Sequence, residues 1–345
     1  MDITPRELPP PPVGRVGWPW SAPANPGAWD GRQGPRITLV TPSLNQAPYL
    51  EQTIRSVLLQ GYSNLEYFIL DGGSTDGSVD IIRRYEPWLA GWSSAPDRGQ
   101  AAAINSGWSR GTGELFGWLN SDDLLAPGAL QAVADCSTRH PTGGMLYGNL
   151  RMIDAAGTRI GEETYNTFDF ADLIADVRWL SQPGSFVHGR VLDAIGMLDE
   201  QLQFMMDFDL CLRAALATEI VHVPAELAWF RRHELSKTAS QSATAAREII
   251  HVYDRFFARP DLPPFVRTVE RRAKANARLY ASRAWHFAGR SATAWKLALS
   301  GWALSPATLF DRQSAILGFQ LLAGAFLGGR HSRAFHFVRR LAGTS

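Results

Sequence analysis

From Arg36 onward, short apolar runs alternate with stretches whose apolar residues recur every three or four positions. Ile37-Thr38-Leu39-Val40 and Glu66-Tyr67-Phe68-Ile69-Leu70 read as buried strands. Between them, Leu50, Ile54, Val57 and Leu58 mark one face of a helix over Tyr49–Gln60, with Gly61 as its stop. Ser78–Tyr85 and Gln100–Arg110 predict further helices, and Leu89–Ser93 and Leu115–Leu119 further strands. Strands and helices in turn, joined by short connections, predict a mostly parallel α/β sheet.

After Pro127 the pattern predicts a helix to about Arg139. Met145–Ile153 and Thr158–Glu163 then flank Asp154-Ala155-Ala156-Gly157 as a β-hairpin. Helices are expected near Asp169–Asp176, Arg190–Ile195 and Met206–Ala217, and strands at Ser185–Val187 and Ile220–Val223. From about Ala245 the chain reads as helical, broken at Pro260, Pro263-Pro264 and Pro306. Residues 1–35 hold nine prolines and predict an irregular arm, with Trp18, Trp20 and Trp29 suited to lying on the folded body. The expected organisation is therefore an arm (1–35), an α/β domain (36–240) and a basic helical region (241–345).

Charge sharpens that division. The 345 residues sum to +1, yet residues 1–229 carry 15 basic and 27 acidic side chains, while residues 230–345 carry 19 and 6. Two electrostatically opposed parts describe the chain better than one neutral globule. Two cysteines, Cys136 and Cys211, exclude a disulfide framework and a thiolate zinc site. They suit buried thiols in a reducing cytoplasm. The N-terminus has no secretory pattern, and the uncharged stretch Gln313–Gly329 is 17 residues long, short for a hydrocarbon core of about 30 Å.

In an open α/β sheet ligands bind past the carboxyl ends of the strands. Three predicted strands end in small polar loops: Thr41-Pro42-Ser43-Leu44-Asn45-Gln46, Asp71-Gly72-Gly73-Ser74-Thr75-Asp76-Gly77 and Asn120-Ser121-Asp122-Asp123. The second could simply cap a helix, and the Asp122-Asp123 pair could be a helix N-terminal charge. Two adjacent carboxylates at a buried strand exit are nevertheless costly without a cation. A hard divalent ion, Mn2+ or Mg2+, shared with substrate phosphates relieves that cost.

These loops, with Gln60-Gly61-Tyr62, Asp97-Arg98-Gly99-Gln100, Ala103-Ile104-Asn105-Ser106-Gly107 and Gly117-Trp118-Leu119, resemble family 2 glycosyltransferases in residues, order and spacing. The resemblance covers about Arg36 to Lys237. It implies a GT-A fold, a nucleotide-diphospho-sugar donor, a divalent cation and inversion at the anomeric carbon. By the same resemblance Thr41, Pro42, Ser43 and Asn45 line the nucleotide pocket. Asp71 meets base or ribose, with Gly72 where many members carry a second acid. Asp97 and Arg98 lie against the nucleotide or its phosphates, Asp122 lies nearer the ribose, and Asp123 is the metal ligand.

Met205-Met206-Asp207-Phe208-Asp209-Leu210 resembles the family's acceptor-side acidic motif, with Met206 where a Glu usually stands and Asp207 in the base position. A single displacement needs one carboxylate to take the acceptor proton. Read without the resemblance, Asp207 is a helix N-terminal charge. Gln182, Asp209 and Lys237 are expected on the acceptor or donor-phosphate side, and His233 as a further metal ligand. The expected partners are a nucleotide-diphospho-sugar and a saccharide or lipid-linked acceptor.

Two other functions stand beside the transferase. A sugar-1-phosphate nucleotidyltransferase would need a Gly-rich basic loop after the first strand, which Thr41–Gln46 lacks. A non-catalytic nucleotide-sugar scaffold would tolerate Met206. For the basic C-terminal helices two readings stand: a packed subdomain with a solvated face, or docking to an anionic membrane surface. The second places the protein in the cytoplasm at the inner face of the membrane. No motif supports nucleic acid as a partner.

Overall fold

Ile37–Ser43 is buried at every position, which suits it to the middle of a sheet rather than an edge. In the computed structural model, which describes residues 8–21, 34–165, 170–177, 180, 182–234 and 242–326, it forms β1 and pairs in parallel on both sides. Its neighbours are β2 (Leu65–Asp71) and β4 (Leu115–Trp118), and β3 (Gly91–Ser94) lies beyond β2. The sheet continues through β8 (Ser185–His188), β6 (Gly143–Ile153), β9 (Glu219–Arg231) and β5 (Leu124–Leu125), with β7 (Arg159–Glu163) paired to β6. β8 runs antiparallel to both neighbours, so the sheet is mixed, with a parallel run over β3, β2, β1 and β4.

Alternation along β1 assigns its two faces. Ile37 and Leu39 join a core with Leu50, Ile54 and Val57 of α1 (Ala47–Leu58), Ile82 and Tyr85 of α2 (Ser78–Tyr85), and Leu130 and Val133 of α4 (Ala129–Arg139). Val40 faces α3 (Gln100–Trp108), where a Cβ on Gly107 would come within 2.5 Å of the Val40 side chain. Only glycine lets that helix lie so close to the strand. Each fully buried Leu or Ile stabilises this packing by about 1.5–3 kcal/mol.

The arm is tied down by one buried cation. Arg55 on α1 is 3% exposed, and its guanidinium donates to the carbonyls of Pro9, Pro19 and Trp20 and to the Tyr85 hydroxyl. Leu8 enters the core, and the Trp18 indole donates to the Leu125 carbonyl at 2.9 Å.

Two elements depart from expectation. The strand expected at Ile220–Val223 runs on to Arg231, and the short β5 gives no pattern of its own. Pro224 masks the continuation: it falls where the β6–β9 register shifts between Val223 and Glu226, a bulge that tolerates a residue lacking an N–H. The helices α6 (Gly189–Ile195) and α7 (Met206–Ala217) complete this unit.

A second compact unit takes in described residues 170–177 and 242–326. Its α5 (Phe170–Ala175) is held from α8 (Ser242–Phe257) and α10 (Glu270–Phe287): Tyr253 donates to the Ile174 carbonyl and Asn276 to that of Ala175, each at 2.6 Å. α9 is one short turn, Pro264–Thr268. α11 (Ser291–Leu304) and α12 (Arg312–Phe326) pack on α10 through Ala294, Ala298, Leu317 and Leu321 around Leu279. Among the described residues no helix is long and apolar enough to cross a membrane.

Candidate active site

The carboxyl ends of β1, β2 and β4 lie side by side at the point where strand order reverses, and α1 organises the loops beyond them. Asn45 turns the chain at φ 52°, a left-handed conformation that asparagine tolerates, and its side chain accepts from the Thr75 N–H. Asp76 then takes the Ala47 N–H at the start of α1 and the Ser78 N–H and hydroxyl at the start of α2. These hydrogen bonds outweigh burial and hold the Asp76 carboxyl below its usual range.

α1 and the residues just past its end grip the loop after β4. Thr53 donates toward the carbonyls of Ser121 and Asp123, Ser56 accepts from the Leu125 N–H, and Gln60 donates to the Ala126 carbonyl. Asp123 is 1% exposed. Its carboxylate accepts from the backbone N–H of Arg231 at 2.8 Å and from Asn120 at 3.3 Å. Burial, then the adjacent Asp122, push its pKa well up against the opposing pull of Arg231. Asp122 is more open and meets His233 Nε2 at 3.0 Å. His233 Nδ1 is buried with no partner among the described residues, and its ring lies 4.8 Å from that of Tyr49.

Arg231 closes the same corner. It is 1% exposed and donates to the carbonyls of Asp122, Asp154 and Ala155 and to Gln52, with its guanidinium 4.8 Å from the centre of the Tyr49 ring. Burial draws its pKa down.

Beside this corner is a small cleft, partly open to solvent. Trp118, Met145, Leu180, Gln182, Ser185, Asp207, Phe208 and Cys211 line it. Asp207 stands half-buried in the first turn of α7, and one of its oxygens accepts the Phe208 N–H at 2.7 Å. Gln182 joins cleft to corner: it donates to the Trp118 carbonyl and accepts from Asn120, whose amide also reaches Asp123. Gln100 donates to the Asn120 side-chain oxygen, so that amide is held from both ends. Burial pushes the Cys211 thiol up and the Tyr147 phenol up to about 12, leaving both protonated at neutral pH.

The sequence profile described as glycosyl transferase family 2 matches residues 38–176. An uncharacterized glycosyltransferase of Mycobacterium tuberculosis is 30% identical over 200 residues, covering 57% of this chain and 75% of the relative. The chain belongs to glycosyl transferase family 2. A second family relative, an uncharacterized glycosyltransferase of Nostoc, is 28% identical over 232 residues, covering 62% of this chain and 70% of its own length. Two solved structures share the fold. A mannosyltransferase from Pyrobaculum calidifontis, in complex with GDP-Man and Mn2+, superposes with a TM-score of 0.56 at 19% identity over 92% of this chain and 88% of its own. S. aureus TarS residues 1–349 give 0.58 at 16% identity over 83% and 86%. The architecture is thus GT-A: a mixed, mostly parallel sheet followed by C-terminal helices.

On this family 2 scaffold the remaining expected site residues fall in distinct places. Thr41 is fully buried and shares a hydrogen bond with the Tyr67 hydroxyl. Pro42 is buried beside it, and Ser43, opposite Asp71 in the strand register, has a buried hydroxyl without a partner among the described residues. The Asp71 carboxylate accepts from the N–H groups of Gly73 and Ser74 and from the hydroxyls of Ser74 and Ser94, so it shapes its own loop. A Cβ on Gly72 would lie 3.2 Å from Asp97, whose carboxylate accepts the Gly99 N–H. Arg98 is paired with Glu200 at 2.8 Å. Asp209 is buried and bound to Arg213, which caps the carbonyls of Ile195, Gly196 and Met197. Lys237 lies outside the described residues.

Two residues with a hand in the corner, Gln52 and Tyr49, gave no signal of their own in the sequence, and Asn120 was legible only as a member of the acidic loop. In the sequence Arg231 stands in Arg231-Arg232-His233, which with Ser236-Lys237 resembles the family segment that closes over the diphosphate. The inward turn of its side chain depends on β9 reaching that far, which Pro224 conceals.

Proposed function

We propose that this chain transfers a hexose from a nucleotide-diphospho-sugar to an acceptor hydroxyl with inversion at the anomeric carbon. The position of Gln182 carries the reading. It lines the cleft with Asp207 and is hydrogen-bonded to Asn120, which touches Asp123. A short run of hydrogen bonds therefore links the acidic loop, where a diphosphate would sit, to the cleft that Asp207 also lines. Asp207 takes the acceptor proton as the acceptor oxygen attacks and the nucleoside diphosphate leaves. A single displacement from the face opposite the leaving group inverts the centre. Met206 is 5% exposed, so Asp207 acts without an acidic neighbour on that side.

The residues around Asp122 fit a Mn2+ or Mg2+ ion in part. Among the described residues no three His, Cys, Asp or Glu side chains converge as a ligand set. Asp123, the expected ligand, has its carboxylate taken up by the Arg231 N–H and by Asn120, so the Asp122 carboxylate and the His233 imidazole, its Nδ1 unpartnered among the described residues, would supply the oxygen and nitrogen ligands instead. Such an ion would need waters and donor phosphates for its other ligands. Asp123, held by Arg231 and Asn120, adds negative charge behind them. When bound, the ion offsets the charge of the departing diphosphate.

A saccharide or lipid-linked acceptor at the inner face of the membrane, as in cell-surface polysaccharide or glycolipid assembly, completes the reading. The exposed Phe310, Phe319 and Leu322 in a region of net positive charge support it. Thermal unfolding with UDP, GDP, TDP and CDP, each with and without Mn2+, tests the donor site. Ligand at about 100 times its dissociation constant adds about 2.7 kcal/mol. A shift from one nucleotide, enhanced by Mn2+ and lost in Asp123→Ala, is expected. No shift from any of them sinks the reading.

A further inference from the structure

From Met145 onward, β6 turns its side chains alternately to the two sides of the sheet. Leu146 lies in the core, and a Cβ on Gly148 would meet the Leu227 side chain there at 2.4 Å. Met145, Tyr147, Asn149 and Arg151 therefore point to the opposite face, and Met145 borders the cleft that Asp207 also lines. β9 runs alongside and sets His222 opposite Tyr147, Glu226 opposite Asn149 and Trp229 opposite Arg151. Tyr147 is buried, with the rings of His222 and Tyr165 at 5.1 and 5.9 Å. Beyond it the row opens to solvent: Tyr165, His222 and Trp229 are half-buried, and the side chains of Arg151 and Glu226 are each 32% exposed.

The strand pairing is distorted to make this row. In an unbroken strand Glu226 and Trp229, three residues apart, would face opposite sides. The β6–β9 register shifts on either side of Asn149, and the extra residues on β9 bring both side chains to the Arg151 side. Glu226 then accepts the Trp229 indole N–H at 2.7 Å and pairs with Nε and Nη2 of Arg151, each at 3.0 Å. The Arg151 guanidinium lies 4.5 Å from the centre of the Trp229 ring. Ring, carboxylate and guanidinium are thus held in one arrangement before any ligand arrives. Nη1 of Arg151 keeps its N–H donors without a partner among the described residues.

The chemistry of the row indicates its ligand. Its charges cancel, Arg151 with Glu226 and Arg159 with Glu162 on the neighbouring β7, which argues against a phosphate or an anionic lipid. The polar edges of its aromatic residues are already tied, Trp229 to Glu226 and Tyr165 to Glu163, so what they still offer is ring surface. Ring surface beside a carboxylate with acceptor capacity and a guanidinium with unused donors suits a neutral sugar, whose C–H faces lie on aromatic rings and whose hydroxyls donate and accept. Tyr147 to Arg151 spans about 13 Å of strand, more than one sugar ring covers. We propose that this open face of β6 and β9 is an acceptor site for an oligosaccharide. Its units lie along Tyr165, His222, Trp229 and Arg151, outside the cleft, and the end unit presents its hydroxyl toward Asp207. The inference rests on the transferase reading and adds to it the class of acceptor.

The test titrates cello-, malto-, manno- and chito-oligosaccharides, each from mono- to pentasaccharide, into wild type, Trp229→Ala and Arg151→Ala. At least one series is expected to bind wild type with an affinity that rises as units are added. Its pentasaccharide is expected to bind each variant about ten-fold more weakly, while the thermal shift with nucleotide and Mn2+ is the same in all three proteins. A monosaccharide that binds as tightly as its pentasaccharide, equal binding by wild type and variants, or no binding by any series overturns the proposal. The nucleotide shift is read separately. Its persistence keeps the donor site standing when the oligosaccharides fail, and its absence overturns the transferase reading and the acceptor role with it.

Should a variant not fold, the wild-type indole 15N–H resonance of Trp229, assigned by its sequential connectivities, gives the same answer. It is expected to shift with the pentasaccharide and to stay in place with phosphatidylglycerol vesicles. A resonance unmoved by every oligosaccharide, or perturbed by the vesicles alone, overturns the proposal.

Discussion

The backbone N–H of Arg231 donates to Oδ1 of Asp123 at 2.8 Å, across 108 residues of sequence. The contact is made by the last residue of β9, so the length of one strand decides whether the buried carboxylate is held. The same residue's guanidinium reaches the Asp122 carbonyl, Gln52 and the 154–155 turn, fixing the acidic loop from behind.

Arg231→Lys keeps the backbone bond and the charge but loses the planar fork that spans three elements. Buried donors and acceptors are then left unpaired, and a loss of about 2–4 kcal/mol is expected. Urea denaturation measures it. A loss below about 0.5 kcal/mol would show that the guanidinium is dispensable.

Asp123→Asn tests the buried charge. Burial and Asp122 raise the Asp123 pKa in the folded chain, so the unfolded chain ionises first as pH rises. The stability contribution is present below the unfolded value of about 3.9 and lost as pH climbs through the folded one. In EDTA the Asn variant should therefore gain on wild type from pH 4 toward pH 8. Melting temperatures across that range check the slope, and a flat difference would contradict it.

Glu66 behaves in the opposite sense. Burial alone would raise its carboxyl, but the Thr112 hydroxyl and N–H and the Thr38 hydroxyl, all donating at 2.6–2.7 Å, bring it below its usual range. Its contribution is present above the unfolded value of about 4.3 and lost as pH falls through the folded value. Glu66→Gln should cost about 1–2 kcal/mol at pH 7, and the difference from wild type should shrink in acid. Paired melts at pH 7 and pH 3.5 read it.

Removing residues 1–21 strips three carbonyls from the Arg55 guanidinium and leaves it, among the described residues, the Tyr85 hydroxyl as its hydrogen-bond partner. A loss of about 3–5 kcal/mol is expected. Arg55→Met in the truncated chain should recover part of it, because the uncompensated charge is gone. No rescue would mean that the arm acts through Leu8 and Trp18 instead.

The elements around β1 were legible because each carries its own periodicity. Ser78–Tyr85 and Met206–Ala217 fall where their apolar spacing put them. The strand-end loops were legible for a different reason: small polar residues after a buried strand have few structural uses. What escaped is non-local. Nothing near Asn120 announces that its amide bridges Gln182 and Asp123, since those partners come from other parts of the chain. Asp71 and Asp209 show the converse. Their residue types suited a binding site, yet loop donors take up the first and Arg213 the second. A carboxylate's sequence position says nothing about how many donors the fold brings to it.

The hold of α1 on the loop after β4 sets a rule for chimeras. Thr53, Ser56 and Gln60 supply partners to Ser121, Asp123, Leu125 and Ala126, and Arg55 on the same helix anchors the arm. A graft of Asn120–Asp123 into a related enzyme would arrive without its mould. The smallest transplantable cassette joins four stretches distant in sequence: the arm, the helix, the acidic loop and the end of β9 with Arg231.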